Sequence, residues 1–309
     1  MKGDLGCVLT WGSGELGSAH CSRFSVGGVS VEVMGERRTD VSLASSLELF
    51  CNQPGTSDVS IRVEWTSSLV PMSARQEFDS GTTWRLYDDD SGFQFDFNSP
   101  VFGERPYKRL LIDHAFRRAI LNMSEEAFEN FPLVAEPLEY PLDELLIMHR
   151  LTQERAIEVH GCGIVRPDGV GNLFVGHSGA GKSTTTRLWT AQENVEVLSD
   201  DRIILREHDG QIFMYGTPWH GEACFASPGR APVERIFILE HGRGNVLTRL
   251  SPGQAVAELF ARGFVPFHRH EYIDSALDFL QQVVSSIPCY RYAFEPGPKA
   301  VERIVNFRD

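Results

Sequence analysis

Gly176-His177-Ser178-Gly179-Ala180-Gly181-Lys182-Ser183 fits G-x-x-x-x-G-K-[ST], the pattern of a strand that runs through a glycine-rich turn into a helix. Asn172-Leu173-Phe174-Val175 supplies the strand, and Thr184-Thr185-Thr186-Arg187-Leu188-Trp189 supplies the helix. Glycines at 176, 179 and 181 let the backbone fold around phosphate oxygens, and the N–H groups at a helix start are unsatisfied donors aimed at an anion. Gly176, His177, Ser178, Gly179, Ala180, Gly181, Lys182, Ser183 and Thr184 are therefore the expected binding residues for the phosphates of ATP. Lys182 is expected to reach the β and γ phosphates, and Ser183 to place its hydroxyl on Mg²⁺.

Eighteen positions beyond Lys182, the strand-like run Val195-Glu196-Val197-Leu198-Ser199 ends in Asp200-Asp201. Two adjacent carboxylates at a strand end offer two roles. One holds a metal, directly or through water, while the other accepts a proton from an attacking hydroxyl, a contribution of roughly 10² to 10⁴ in rate.

The segments around the loop read as hairpins. Residues 156–165 and 171–175 flank the turn Pro167-Asp168-Gly169, and residues 202–207 and 211–215 flank His208-Asp209-Gly210. Antiparallel pairs on both sides of the loop predict a mixed sheet, because an all-parallel sheet needs a crossover between each pair of strands. The pattern predicts helices over 183–189, 252–262, 273–285 and 298–306, and strands over 235–240 and 289–294.

The 309 residues are enough for about two domains, and the character of the chain changes near residue 155. Residues 1–154 carry short β-like runs at 29–33, 59–65, 83–87 and 93–97, then helical patterns at 114–121, 124–131 and 142–151. A net charge of −13 opposes bulk binding to nucleic acid. No apolar stretch approaches the ~18 to 20 residues that span a bilayer, so no membrane association is expected. The start lacks an apolar leader, which predicts a cytoplasmic location. The six cysteines include no C-x-x-C pair and read as reduced packing residues.

On four elements the second half resembles the catalytic domain of the HPr kinase/phosphorylase family. They are His160-Gly161 sixteen positions before the loop, the loop itself, Leu198-Ser199-Asp200-Asp201, and Gly216-Thr217-Pro218-Trp219-His220-Gly221-Glu222. The last motif is similar to that of relatives of unassigned substrate, and the Glu-Ile-Arg-Gly type of signature found in HPr kinases is absent. The resemblance implies an α/β fold, with a mixed-sheet P-loop kinase domain of phosphoenolpyruvate-carboxykinase/HPr-kinase type over residues 155–309. A β-rich α+β domain over residues 1–154 precedes it, and acceptor recognition is expected there. It also implies Asp200 as general base, Asp201 as the metal-associated acid, and His160 beside the reacting phosphate. Glu222 is expected as a further metal or substrate contact from a loop punctuated by glycine and proline. Arg230 is the expected cation for the transferring group.

These expectations add up to an ATP- and Mg²⁺-dependent kinase whose acceptor is a serine-like hydroxyl on a peptide, protein or small molecule. The alternative is a nucleotide-binding regulatory or partner-recognition protein without phosphotransfer. Carboxykinase chemistry needs further Lys, His and Arg ligands that the sequence does not place. Four other patterns have plainer explanations. Gly12-Ser13-Gly14-Glu15-Leu16-Gly17 fits a dinucleotide fingerprint but is followed by β pattern. Ser251-Pro252-Gly253-Gln254 reads as a helix cap, Asp88-Asp89-Asp90 as a solvated turn, and His268-Arg269-His270 has no third metal ligand.

Overall fold

The computed structural model describes residues 20–51, 55–70, 75–129 and 136–308. The glycine pattern at 12–17 and Cys7 lie outside the described residues. The chain forms two compact units: Val29–Asp143 with residues 20–24, and Glu144–Asp309 with Ser25–Gly28. Each is built on a mixed sheet, so the fold is α/β with two mixed sheets and several helices.

The first unit contains β1 (His20–Val26), β2 (Val29–Gly35), β3 (Val59–Thr66), β4 (Gln76–Asp79), β5 (Trp84–Asp89), β6 (Gly92–Phe97), β7 (Lys108–Ile112) and β8 (Arg118–Ser124). Their order in the sheet is β1-β2-β3-β8-β7-β6-β5-β4, with β3 parallel to both of its neighbours. Period-two alternation drives the assembly: Val29, Val31 and Val33 on β2, and Val59, Ile61 and Val63 on β3, are buried. Residues 114–121 correct the expected helix, since the second half of that segment, from Arg118, is the start of central strand β8. The run Ala119-Ile120-Leu121 satisfies a helical or an extended period equally, and hydrogen bonds from β3 and β7 on either side decide it. The helix expected at 124–131 begins as the short α1 (Glu125–Phe128), where the Ser124 hydroxyl accepts from the Ala127 N–H at 3.3 Å. Asp89 caps the β5–β6 turn through the N–H groups of Ser91 and Gly92.

In the second unit α2 (Leu142–Leu151) precedes β9 (Ala156–Val165), β10 (Gly171–Val175), α3 (Lys182–Thr190), β11 (Glu196–Ser199), β12 (Arg202–His208), β13 (Gln211–Tyr215) and β14 (Arg230–His241). Then follow β15 (Val246–Arg249), α4 (Pro252–Phe260), β16 (Gly263–Phe264), α5 (His270–Ser286), β17 (Cys289–Phe294) and α6 (Pro298–Val305). Both predicted hairpins are present, β9 with β10 and β12 with β13, and β10 and β17 run parallel to β14. Because β10 pairs with β9 and also with β14, strands β9-β12-β13-β14-β10 close into a ring. Closure satisfies the backbone of β10 on both sides.

Two cores lie on opposite faces. Ile157 and Val159 of β9, Leu173 and Val175 of β10, and Ile236 and Ile238 of β14 pack with Leu259, Phe279 and Leu280 of α4 and α5. Gly163 and Gly171 join this face because a Cβ on either would press into Ile203 or Met214. The alternate residues Cys162, Ile164, Phe174 and Phe237 pack with Trp189 of α3 and Ile304 of α6. His160 is in phase with Cys162 and Ile164, so strand periodicity alone puts it on the face covered by α3. Ser251 caps α4, its hydroxyl accepting from the Gln254 N–H at 3.4 Å, in agreement with the plain reading of that segment.

The cysteines correct one expectation. The five that are described are all free, and Cys162 and Cys289 are buried, whereas Cys21, Cys51 and Cys224 are exposed and do not serve as packing residues. Among the described residues no helix is long and apolar enough to cross a membrane.

His149 of α2 is buried, its ring 5.2 Å from that of His268, and Nδ1–H donates to the Leu145 carbonyl at 2.7 Å. Burial, reinforced by the charge of His268, pushes its pKa from 6.5 down to about 3. Between those two values the unfolded chain binds the extra proton, so stability falls as pH drops, with a slope of up to about 1.4 kcal/mol per pH unit. Urea midpoints at pH 7 and pH 5 should therefore separate in the native chain and draw together in His149→Phe. Equal separation in both would assign the acid sensitivity elsewhere.

Candidate active site

The site is assembled on two adjacent residues of β9. The carbonyl of His160 accepts from the Gly176 N–H at 3.1 Å, and the Gly161 N–H donates to the Asp201 carbonyl at 3.0 Å. The start of the loop and the end of the aspartate pair are thus fixed to neighbouring points of one strand. Gly161 has to be small, since a Cβ there would lie 3.0 Å from the Phe174 carbonyl oxygen.

The loop leaves β10 at Gly176 and enters α3 at Lys182. Gly179 and Gly181 have φ of +81° and +106°, a region that glycine adopts without the Cβ penalty, and a Cβ on Gly181 would also meet Phe294 at 3.0 Å. His177, Ser178 and Gly179 are exposed, Ala180, Ser183 and Thr184 are half-buried, and Lys182 is buried. The Lys182 ammonium donates to the carbonyls of Gly176 at 2.9 Å and His177 at 3.1 Å, which places its charge inside the turn. Burial lowers its pKa, opposed mainly by the negative charge of Asp201. Under the helix start, the Cys162 thiol is held 3.7 Å from the Lys182 carbonyl and is pushed up to about 12 by burial. It is an inert thiol at neutral pH.

The two aspartates have different surroundings. They occupy the gap between β11 and β12, two strands that pair with successive stretches of β9. The carboxylate of Asp200, 1% exposed, accepts from three backbone N–H groups: Gly221 at 3.0 Å, Ala223 at 2.8 Å and Phe225 at 3.2 Å. It is the anchor of the loop that follows β13. Two glycines of that loop are sterically required. A Cβ on Gly216 would lie 2.0 Å from the Ser227 carbonyl oxygen, and one on Gly221 would lie 2.9 Å from Asp200 Oδ2.

Asp201 is half-buried and faces the other way. Its Oδ1 accepts from His160 Nε2–H at 2.8 Å, and its Oδ2 pairs with Arg202. Burial alone would raise its pKa, but the His160 hydrogen bond, then the charges of Arg202, His160 and Lys182, outweigh it and hold the carboxyl below the ordinary value. Arg202 is in turn fixed by Glu144 at 3.0 Å and by the Phe264 ring 4.1 Å below its guanidinium.

Of the expected site residues, the structure groups His160, Lys182, Asp200 and Asp201 around the loop. Glu222 and His220 lie on the exposed surface of the loop anchored by Asp200, and among the described residues none makes a hydrogen bond or ion pair with the Glu222 carboxylate. Arg230 is engaged elsewhere: its guanidinium donates to the Tyr215 hydroxyl at 3.0 Å and lies over the Phe213 and Tyr215 rings. Among the described residues no group of three or more His, Cys, Asp or Glu side chains is arranged to hold a metal. Sequence reasoning missed Arg202, which follows the aspartate pair directly, and Glu144, which no motif marks.

No family model matches the chain, and no curated protein matches it. Among solved structures it is similar to the Hpr(Ser) kinase/phosphatase from Coxiella burnetii, at 13% identity over 48% of this chain and 93% of that one, with a TM-score of 0.29. A likeness at this level carries no argument about activity.

Proposed function

We propose that the second unit transfers the γ-phosphoryl group of ATP, with Mg²⁺, to a hydroxyl on a peptide, protein or small molecule. The observation that carries this reading is the 2.8 Å pair of His160 and Asp201, held anionic next to a G-x-x-x-x-G-K-[ST] turn whose lysine senses its charge. In the transfer, the acceptor oxygen forms a bond to the γ phosphorus while the bond to the β–γ bridging oxygen breaks. The bonding electrons leave with the diphosphate, and the hydroxyl proton passes to a carboxylate.

That proton acceptor is better assigned to Asp201 than to Asp200. A carboxylate already accepting three N–H bonds in a closed pocket has little capacity left, whereas Asp201 is partly open and oriented by His160. Asp200 then acts by fixing the 221–225 loop. The loop amides and Lys182 would stabilise charge on the phosphates.

The oxygen donors fit Mg²⁺, which takes one or two carboxylates together with substrate phosphates and water, not a dedicated cage of side chains. Ser183 would hold it with the phosphate oxygens, and Asp201 would meet its hydration shell. The ion supplies neutralisation of the developing charge. Glu222 is not needed for this arrangement.

The test is incubation of the full chain with magnesium, γ-labelled ATP and a lysate of the source organism, followed by mass spectrometry of whatever acquires label. Label on a hydroxyl with the unmodified chain and none with Lys182→Ala is the expected result. Tight ATP binding with no labelled product in any fraction would reject phosphotransfer in favour of a regulatory nucleotide-binding role.

A further inference from the structure

Arg262 belongs to none of the sequence motifs, yet its backbone is tied to the loop. It lies between the end of α4 and β16, and its carbonyl accepts from the His160 N–H at 2.8 Å. The His160 carbonyl in turn holds Gly176, so two successive hydrogen bonds connect Arg262 to the first glycine of the turn. Two residues on, Phe264 packs edge-on against the His160 ring, with centroids 6.2 Å apart.

Its side chain is 8% exposed. Nη1 donates to the Glu258 carbonyl at 2.8 Å and to the Glu258 carboxylate at 2.5 Å, while Nε is buried and has no hydrogen-bond partner. A guanidinium presents five N–H donors in a fixed fork, and leaving a buried donor unmatched costs about 1–3 kcal/mol. Glu258 does not make up the shortfall, because its other oxygen is taken by Arg291 at 2.8 Å. The positive charge also reaches the turn itself: it is the foremost reason that His177 titrates below an ordinary histidine, with burial second.

We propose that Arg262 directs its open N–H fork at the oxygens of the terminal phosphoryl group during transfer, and that Glu258 holds the guanidinium ready for it. This rests on the phosphotransfer reading and extends it to a residue outside the loop and the aspartate pair. No bond to Arg262 forms or breaks. Its contribution is charge stabilisation as negative charge spreads over the three oxygens of the group in flight, which is worth most in a site closed to water. A complex with diphosphate lacks that group and should not depend on the arginine.

Calorimetry on the full chain with magnesium and three probes separates the possibilities: ADP, ATP, and ADP with tetrafluoroaluminate as a planar mimic of the phosphoryl group. Arg262→Gln should bind ADP within about twofold of the unmodified chain and ATP about tenfold more weakly, and should lose about 100-fold on the aluminate complex. Arg262→Lys keeps the charge without the fork, and should recover ATP affinity more fully than aluminate affinity. Equal losses on all three probes, in both variants, would mark a role in the fold alone and overturn the assignment, as would unchanged affinity for the aluminate complex. Should Arg262→Gln melt out, the same comparison rests on Arg262→Lys. If the unmodified chain binds none of the three, the phosphotransfer reading itself is lost, whereas binding of all three with no preference in the variants rejects only Arg262.

Discussion

Asp201→Asn should lower the rate of phosphoryl transfer about 10³-fold while leaving ATP affinity within about threefold, as read by single-turnover labelling and by calorimetry on the same preparation. The amide keeps the size of the side chain and can still accept from His160, so the loop and the ring of strands have no reason to move. What disappears is the anion that receives the acceptor proton. Its surroundings keep that anion in place: against burial, the His160 hydrogen bond and then the charges of Arg202, His160 and Lys182 hold the carboxyl below its ordinary value. At neutral pH essentially every molecule has the base form, and none of the variant does. The opposite pattern, an active Asp201→Asn beside an Asp200→Asn that binds ATP and does not transfer, would return the base to Asp200.

Asp200→Ala should act on stability first. It removes the single acceptor of three buried N–H groups, those of Gly221, Ala223 and Phe225. Each N–H left without a partner costs about 1–3 kcal/mol, less whatever the loop regains by opening to water, so a loss of roughly 3 kcal/mol of unfolding free energy is expected, read from the shift of the urea midpoint. Cleavage by a nonspecific protease should appear within residues 216–226 before anywhere else in the second unit. Asp200→Asn retains one accepting oxygen and should fall between the two. An alanine variant as stable as the native chain, with the loop still resistant, would remove the anchoring role.

What could be read from the sequence, and what could not, divides along the distance over which each feature is decided. The turn at 176–183 and the two hairpins are local: glycine positions, a Pro-Asp-Gly turn and period-two alternation specify them within about ten residues, and they are present in the structure. The segment 114–121 failed because its apolar run fits two periods and only hydrogen bonds from β3 and β7 choose between them. The aspartate pair was legible as a pair but not as two different groups. Their separation depends on a loop that returns more than twenty positions later to put its amides on Asp200, and on a histidine forty-one positions earlier that selects Asp201. Arg262 left no local signal, since its place is set by a hydrogen bond from a strand a hundred residues upstream. Arg230 drew attention through nearness in sequence, and two aromatic rings hold it instead.

The ring formed by β9, β12, β13, β14 and β10 has a mechanical consequence. With β10 gripped along both sides and β9 bearing both the Gly176 and Asp201 attachments, thermal bending of the wall carries the lysine and the acid along together, and the spacing between them is insulated from it. The segment after Tyr215 is pinned near its ends, Gly216 to Gly229, the Thr217 hydroxyl to the Arg202 carbonyl and the Ser227 N–H to the Leu198 carbonyl, and between these points the Asp200 carboxylate holds residues 221–225. A reactant that enters then meets a lysine and an acid already aligned by the wall that carries them both.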